Sequence, residues 1–236
     1  MYTGDTSSFP FCSRSGNQYI VIAYHYDSND IVAAPFKLCT YKHRLIAYVS
    51  GMQRLKDLNM LVDLQILDNE TSTEYKRIIK SEWGVRYQLV PPHIHFINSS
   101  WRAILTFKAH FISILSGMAN TLPKNLWYLL IPQTKLTLNI LIKSTLNPKI
   151  SAWEYFQGHF DYKSTPLVLL VFPVIIHRKT SNRKSWYFRG KEGCSIGVDL
   201  YHYQCQRIIP HNTKSEQIFD TVEFRHQTIP NPVVTP

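Results

Sequence analysis

Apolar side chains change their spacing along the chain, and each change marks an element. "YIVIAYHY" (19–26) and "IVAAPF" (31–36) are rich in β-formers and are separated by Asp27, Ser28, Asn29 and Asp30, a turn cluster that predicts an antiparallel hairpin. Leu45, Ile46, Tyr48, Val49, Met52 and Leu55 then recur at helical spacing and predict a helix over 43–57. "VDLQIL" (62–67) reads as a short strand ending at Asp68. Thr71 with Glu74 three positions later is a capping box that opens a helix closing before Gly84. "VRYQLV" (85–90) is a further strand, stopped by Pro91 and Pro92.

After those prolines, Asn98, Ser99 and Ser100 offer capping oxygens to a helix over 101–116. Trp101, Ile104, Leu105, Lys108, Phe111, Ile112 and Leu115 are expected on its core-facing side. A helical region over 123–145 has Pro123 in its first turn and ends at Asn147-Pro148. From 150 the pattern shifts to short β-like runs, "PVIIHR", "GCSIGV", "YHYQCQRIIP" and "QIFDTVEF", which predict a small β-rich module. Residues beyond Thr228, with three prolines, are expected to be loose. The most apolar windows, 126–142 and 166–176, are broken or too short for a bilayer and read as core.

Composition narrows the class. The 236 residues, 44% hydrophobic, suffice for one sizeable core or two small ones. Cysteines 12, 39, 194 and 205 show no close pairing, so reduced thiols in an intracellular compartment are expected, and the N-terminal residues carry no secretion signal. The net charge is +10 and its excess is uneven. Residues 1–118 hold 12 Lys/Arg against 9 Asp/Glu, and residues 119–236 hold 14 against 7. A basic surface attracts polyanions such as DNA. Arg102, Lys108, Arg178, Lys179, Arg183 and Lys184 are the candidate phosphate contacts, the last four also reading as a weak nuclear signal or a plain exposed turn.

The order of three strands, helix, strand, helix, strand, helix, with an acid after the middle strand, is that of an RNase H-like α/β core. "GNQYIVIAYHYDSNDIVAAPFK", "LQILDNE", "YQLVPPHIHFIN" and "RAILTFKAHFI" resemble the integrase catalytic core of a long-terminal-repeat retrotransposon polyprotein. "LWYLLIPQTKLTLNIL", "NPKISAWEYFQGHFDY" and "YHYQCQRIIPHNTKSEQIFDTVEF" resemble the segments carboxy-terminal to that core in the same elements. The resemblance implies a mixed five-stranded sheet with flanking helices over 1–120, a helical extension over 121–149 and a β-rich module over 150–236. It further implies DNA as partner, nuclear localisation and no membrane association, and leaves homo-oligomerisation open.

Such a core needs three carboxylates meeting at one point, holding Mg²⁺ or Mn²⁺ for transfer of a phosphodiester to water or a 3′-hydroxyl. Carried over by motif, Asp68 in "LDNE" matches the second acid and is the expected metal ligand. Gly4 in "YTGD" stands in the first slot. Trp101 in "NSSWRAI", 33 positions after Asp68, stands in the third. Asp5 neighbours the first slot but should point to the opposite face of a strand. Glu70 lies close to Asp68, although its counterpart is not a ligand. With one acid retained, no ion is expected to be held.

Other positions depart from the pattern as well: Ser7 and Ser8, Phe96 and Ile97 where two Arg are common, Val168 and Leu169, and Cys194 where Trp is usual. The amino-terminal zinc module of a complete integrase is not expected ahead of the core here. Plainer readings compete at several places. Asp68, Asn69 and Glu70 could serve only as a turn; His93 and His95 could be a proline-bounded loop rather than a metal pair; Trp101 could be core; Cys205 beside His202 could be a buried thiol. Three functions compete on these residues: a metal-dependent polynucleotidyl transferase, a non-catalytic basic DNA-binding protein, and an inert transposon remnant. The broken triad favours a catalytically disabled integrase relative.

Overall fold

The computed structural model describes all residues except 7, 39, 58–61, 68–70, 92–98, 118–121, 178–185, 187–188 and 226–236. The chain divides into two compact units, Met1–Gly117 with Pro123–Asp161, and Met118–Leu122 with Tyr162–Pro236.

The first unit is built on a sheet of β1 (Tyr2–Asp5), β2 (Tyr19–His25), β3 (Asp30–Phe36), β4 (Leu64–Leu67) and β5 (Arg86–Leu89) in the order β3-β2-β1-β4-β5. The first three strands are antiparallel neighbours, whereas β4 runs parallel to β1 and β5 parallel to β4. The expected hairpin forms with His25 opposite Asp30. Helices α1 (Tyr41–Asp57) and α2 (Thr73–Glu82) cover one face, where Ala23, Val32, Tyr48, Met52, Leu55, Leu67, Tyr75 and Ile79 form the core. Helices α3 (Ser99–Ser116) and α4 (Ile131–Leu141) pack on β1, β2 and β3. This mixed five-stranded sheet with flanking helices is the RNase H-like arrangement expected from the sequence.

Local chemistry sets the helix ends. Ser72 rather than Thr71 caps α2, its Oγ accepting from the Tyr75 N–H at 3.3 Å. Gly84, at φ 66, follows the C-cap Trp83 in the left-handed region that costs glycine least. The region expected as one helix over 123–145 is instead a 3₁₀ helix, Lys124–Leu130, followed by α4 with Pro132 in its first turn. Pro132 has no N–H to continue an α-helix begun earlier, so the α-helical pattern starts there. Fully buried Trp127 stacks on Phe9 at 4.6 Å and lies edge-on to Phe111 at 6.3 Å, beneath α3. Burying such a ring contributes about 2–3 kcal/mol.

A buried amide closes the free edge of the sheet. Asn139 of α4 accepts from the Ile31 N–H at 3.0 Å and donates to the Ile31 carbonyl at 3.0 Å and the Asp30 carboxylate at 2.5 Å. Its side chain thus satisfies an edge residue of β3 as a neighbouring strand would. On the other side of the sheet the Tyr48 hydroxyl donates to Gln65 Oε1 at 2.5 Å, and Gln65 Nε2 donates to Thr3 Oγ1 at 3.1 Å, tying α1, β4 and β1 together.

The second unit holds β6 (Pro173–His177), β7 (Gly190–Val198), β8 (Gln206–Pro210), β9 (Gln217–Phe219) and β10 (Val222–Phe224) in the order β10-β6-β7-β8-β9. All neighbours are antiparallel and the last strand returns beside the first. Val174, Ile176 and Ile208 form its core against Phe219, Val222 and Phe224. Gly193 is required by close packing: an added Cβ would lie 2.9 Å from both Ile176 Cδ1 and Ile208 Cγ2 and 3.0 Å from the Ile209 carbonyl oxygen. No helix among the described residues is long and apolar enough to cross a membrane.

Candidate functional site

The first acid slot is on β1, where Gly4 pairs with Ile22 of β2. A Cβ built on Gly4 would point at α3, 2.9 Å from Ile104 Cδ1 and 3.2 Å from Ser100 Oγ. Ser100 and Ile104 are both buried. The space that a side chain at position 4 would enter is therefore occupied by one methyl group and one hydroxyl.

Trp101, the third slot, is the residue after Ser100 on α3, and 3.6 residues per turn swing it about 100° around the helix axis. It is 46% exposed. The expectation of a core tryptophan is corrected. The buried face of α3 is Ser100, Ala103, Ile104, Phe107 and Phe111, while Leu105 and Ile112 lie exposed with Trp101. The reason is that α3 carries large apolar side chains on both its buried and its exposed faces, so its spacing does not identify the side that meets the sheet.

Asp68, Asn69 and Glu70 lie outside the described residues, as do His93, His95, Phe96 and Ile97 and the basic run Arg178, Lys179, Arg183 and Lys184. The strand preceding Asp68 is described: β4 sits beside β1, with Tyr2 opposite Ile66, and ends at Leu67. Asp5 pairs with Val21 in the β1–β2 register. Arg102 is exposed and Lys108 half-buried on α3.

These residues do not fit the divalent ion that the sequence resemblance implies. Glycine has no side-chain ligand and an indole N–H is a donor only, so two of the three expected positions lack the carboxylate oxygen that would hold Mg²⁺ or Mn²⁺. No group of three His, Cys, Asp or Glu side chains able to hold a metal occurs among the described residues.

A cleft that sequence reasoning missed opens on this unit. About 350 Å³ in volume, it is lined by Tyr24, Tyr26 and Asn29 of the hairpin, Arg102 and Thr106 of α3, and Thr145 after α4. Burial pushes the Tyr24 phenol up, against a hydrogen bond to the Thr145 side chain and the charge of Arg102, which both pull it down. The signal was present in "AYHYDSN": two tyrosines at alternate positions running off the end of β2, on one face of the strand.

A larger cleft of about 1000 Å³ belongs to the second unit, with His177, Lys191, His202, Cys205 and Asp220 on its wall. His202 Nδ1 bonds the Asp199 carboxylate at 2.8 Å. Desolvation, with the charges of Asp220 and Asp199, pushes the Cys205 thiol up. That half-buried thiol stays protonated and is no activated nucleophile.

The mixed five-stranded sheet with its flanking helices has the fold of an integrase core. No family model matches the chain, and no curated protein matches it. Among solved structures it is similar to a chain of the simian T-cell lymphotropic virus intasome determined in complex with the PP2A regulatory subunit B56 gamma. The TM-score is 0.52 at 12% identity, covering 92% of this chain and 74% of that one. It is also similar to the catalytic core domain of BIV integrase, with a TM-score of 0.47 at 13% identity, over 66% of this chain and 91% of that one.

Proposed function

We propose that the chain is an integrase derived from a long-terminal-repeat retrotransposon that has lost catalytic competence and associates with DNA through charge. The carrying observation is the position expected for the first acid, where glycine stands and an added Cβ would lie 2.9 Å from Ile104 Cδ1 and 3.2 Å from Ser100 Oγ. The solvent-facing Trp101 in the third slot supports the same reading.

The net charge of +10, concentrated in residues 119–236, supports association with a polyanion. Neutralised phosphates release counterions, so affinity for a random duplex should fall with salt at a log–log slope of about −0.9 per phosphate contact. Sequence preference should be slight. A labelled duplex titrated at several salt concentrations tests this part: a flat salt dependence, or no binding at low salt, removes it. Calorimetric titration with Mg²⁺ and Mn²⁺ tests the other part, with no saturable heat expected.

A further inference from the structure

We propose that the cleft between the β2–β3 turn and the first turns of α3 takes one nucleotide unit of single-stranded nucleic acid, its phosphate on Arg102 and its base on the Tyr26 ring. This rests on the nucleic-acid reading above and gives it a site.

The walls are fixed before any ligand arrives. Asn29 Nδ2 donates to the Lys143 carbonyl at 2.8 Å, and Ser144 Oγ and the Leu146 N–H donate to the Asp27 carbonyl at 3.2 and 3.0 Å. His25 Nδ1 and Ser28 Oγ, 2.9 Å apart, brace the same turn from within. A cleft held this way loses little conformational entropy on binding.

The chemistry of the lining selects the ligand. Arg102 presents a planar guanidinium whose fork of donors matches a phosphate. Tyr26 is 48% exposed, and its ring lies 6.3 Å from that of Tyr2, which is 6.2 Å from that of Tyr24. A half-exposed phenol is a stacking face for any base. Asn29, Thr106 and Thr145 add hydrogen-bonding groups for a sugar or a base edge. Asp27, exposed on the turn, disfavours a phosphate at that end and leaves the Arg102 end for it. A volume of about 350 Å³ is at the small end of ligand sites and admits one splayed-out nucleotide, whereas a duplex keeps its bases stacked inside. Tyr2 also shares a sheet face with Gly4, so the cleft adjoins the altered acid slot.

The full chain is titrated by fluorescence anisotropy against labelled oligothymidylate and against a random duplex of equal length at low salt, with dTMP and thymidine as competitors. Arg102→Gln and Tyr26→Ala should each weaken single-strand binding by about tenfold and lower the ratio of single-strand to duplex affinity. dTMP should compete and thymidine should not. Hydrogen exchange on the unmutated chain with oligothymidylate should show protection over 24–31 and 99–106, a readout independent of how the variants fold. Unchanged affinity in both variants, or no protection in those segments, overturns the site. Binding of duplex without binding of the single strand overturns the site alone and leaves the nucleic-acid reading standing; binding of neither removes both.

Discussion

At position 4 the missing side chain sets how closely α3 packs on β1. Gly4 lets Ile104 and Ser100 of α3 close over the strand, so placing an acid at position 4 and placing one at position 101 have unequal costs. Gly4→Asp forces Ile104 Cδ1 from a 2.9 Å approach and lodges a carboxylate against buried Ile104 and Ser100. We expect it to destabilise the first unit by about 1–3 kcal/mol, from overpacking and partial desolvation of the acid. Trp101→Glu changes a side chain already 46% exposed and should stay within about 0.5 kcal/mol. Urea unfolding of the two variants separates them; equal costs would mean that the packing of α3 on β1 has been misjudged. The motif resemblance placed Gly4 and Trp101 at the expected acid positions. The packing of Ile104 and Ser100 against Gly4 was not legible there, since only the contact between β1 and α3 shows it.

Elements differ in how plainly the sequence announced them. The hairpin, α1 and α2 come from turn residues, apolar spacing and capping, all local signals, whereas the five-stranded sheet was expected only through the order of elements and the resemblance it supports. The side of α3 that meets the sheet does not follow from such signals, because Trp101, Leu105 and Ile112 put large apolar groups on its outer face as well. Nor does the role of Asn139, a polar residue amid an apolar run, whose three hydrogen bonds span more than a hundred residues to β3. Asn139→Leu should cost about 2–4 kcal/mol, because it leaves the Ile31 N–H and carbonyl unsatisfied at the sheet edge. Thermal unfolding would check this, and a shift below about 1 °C would deny the edge-closing role.

Two histidines couple the same elements to pH. Desolvation lowers the pKa of His25, at the end of β2, and of His110, whose Nε2 meets Thr137 Oγ1 across α3 and α4 at 2.9 Å. A histidine whose folded pKa lies below its unfolded value of about 6.5 contributes stability above that value and loses it as pH falls through the folded pKa. The urea midpoint should therefore drop between about pH 7 and pH 5, more than carboxylate titration alone predicts. Replacing both histidines by Gln should flatten that drop; an unchanged profile would place the acid sensitivity elsewhere.

For the whole molecule, an RNase H-like sheet and a small antiparallel sheet are joined in one chain whose positive charge lies mostly beyond residue 118. A change from helical to short β spacing was visible near residue 150, which lies inside the first unit, whose last segment runs to Asp161. The return of β10 beside β6 was not, because "QIFDTVEF" reads as one run and the fold splits it at Asp220 and Thr221 into strands on opposite edges of the sheet. The central claim is that this integrase-like chain does no phosphodiester chemistry. On the proposed reading Asp68 is the one carboxylate at the site, and with water ligands it would hold a divalent ion too loosely to align an in-line attack. The most direct measurement is conversion of supercoiled plasmid to nicked circle by the purified chain in Mg²⁺ and in Mn²⁺, beside an Asp68→Ala control. The account predicts no metal-dependent nicking in either protein. Nicking that requires the metal and vanishes in Asp68→Ala would contradict it, and would mean that residues other than those at positions 4 and 101 complete the site.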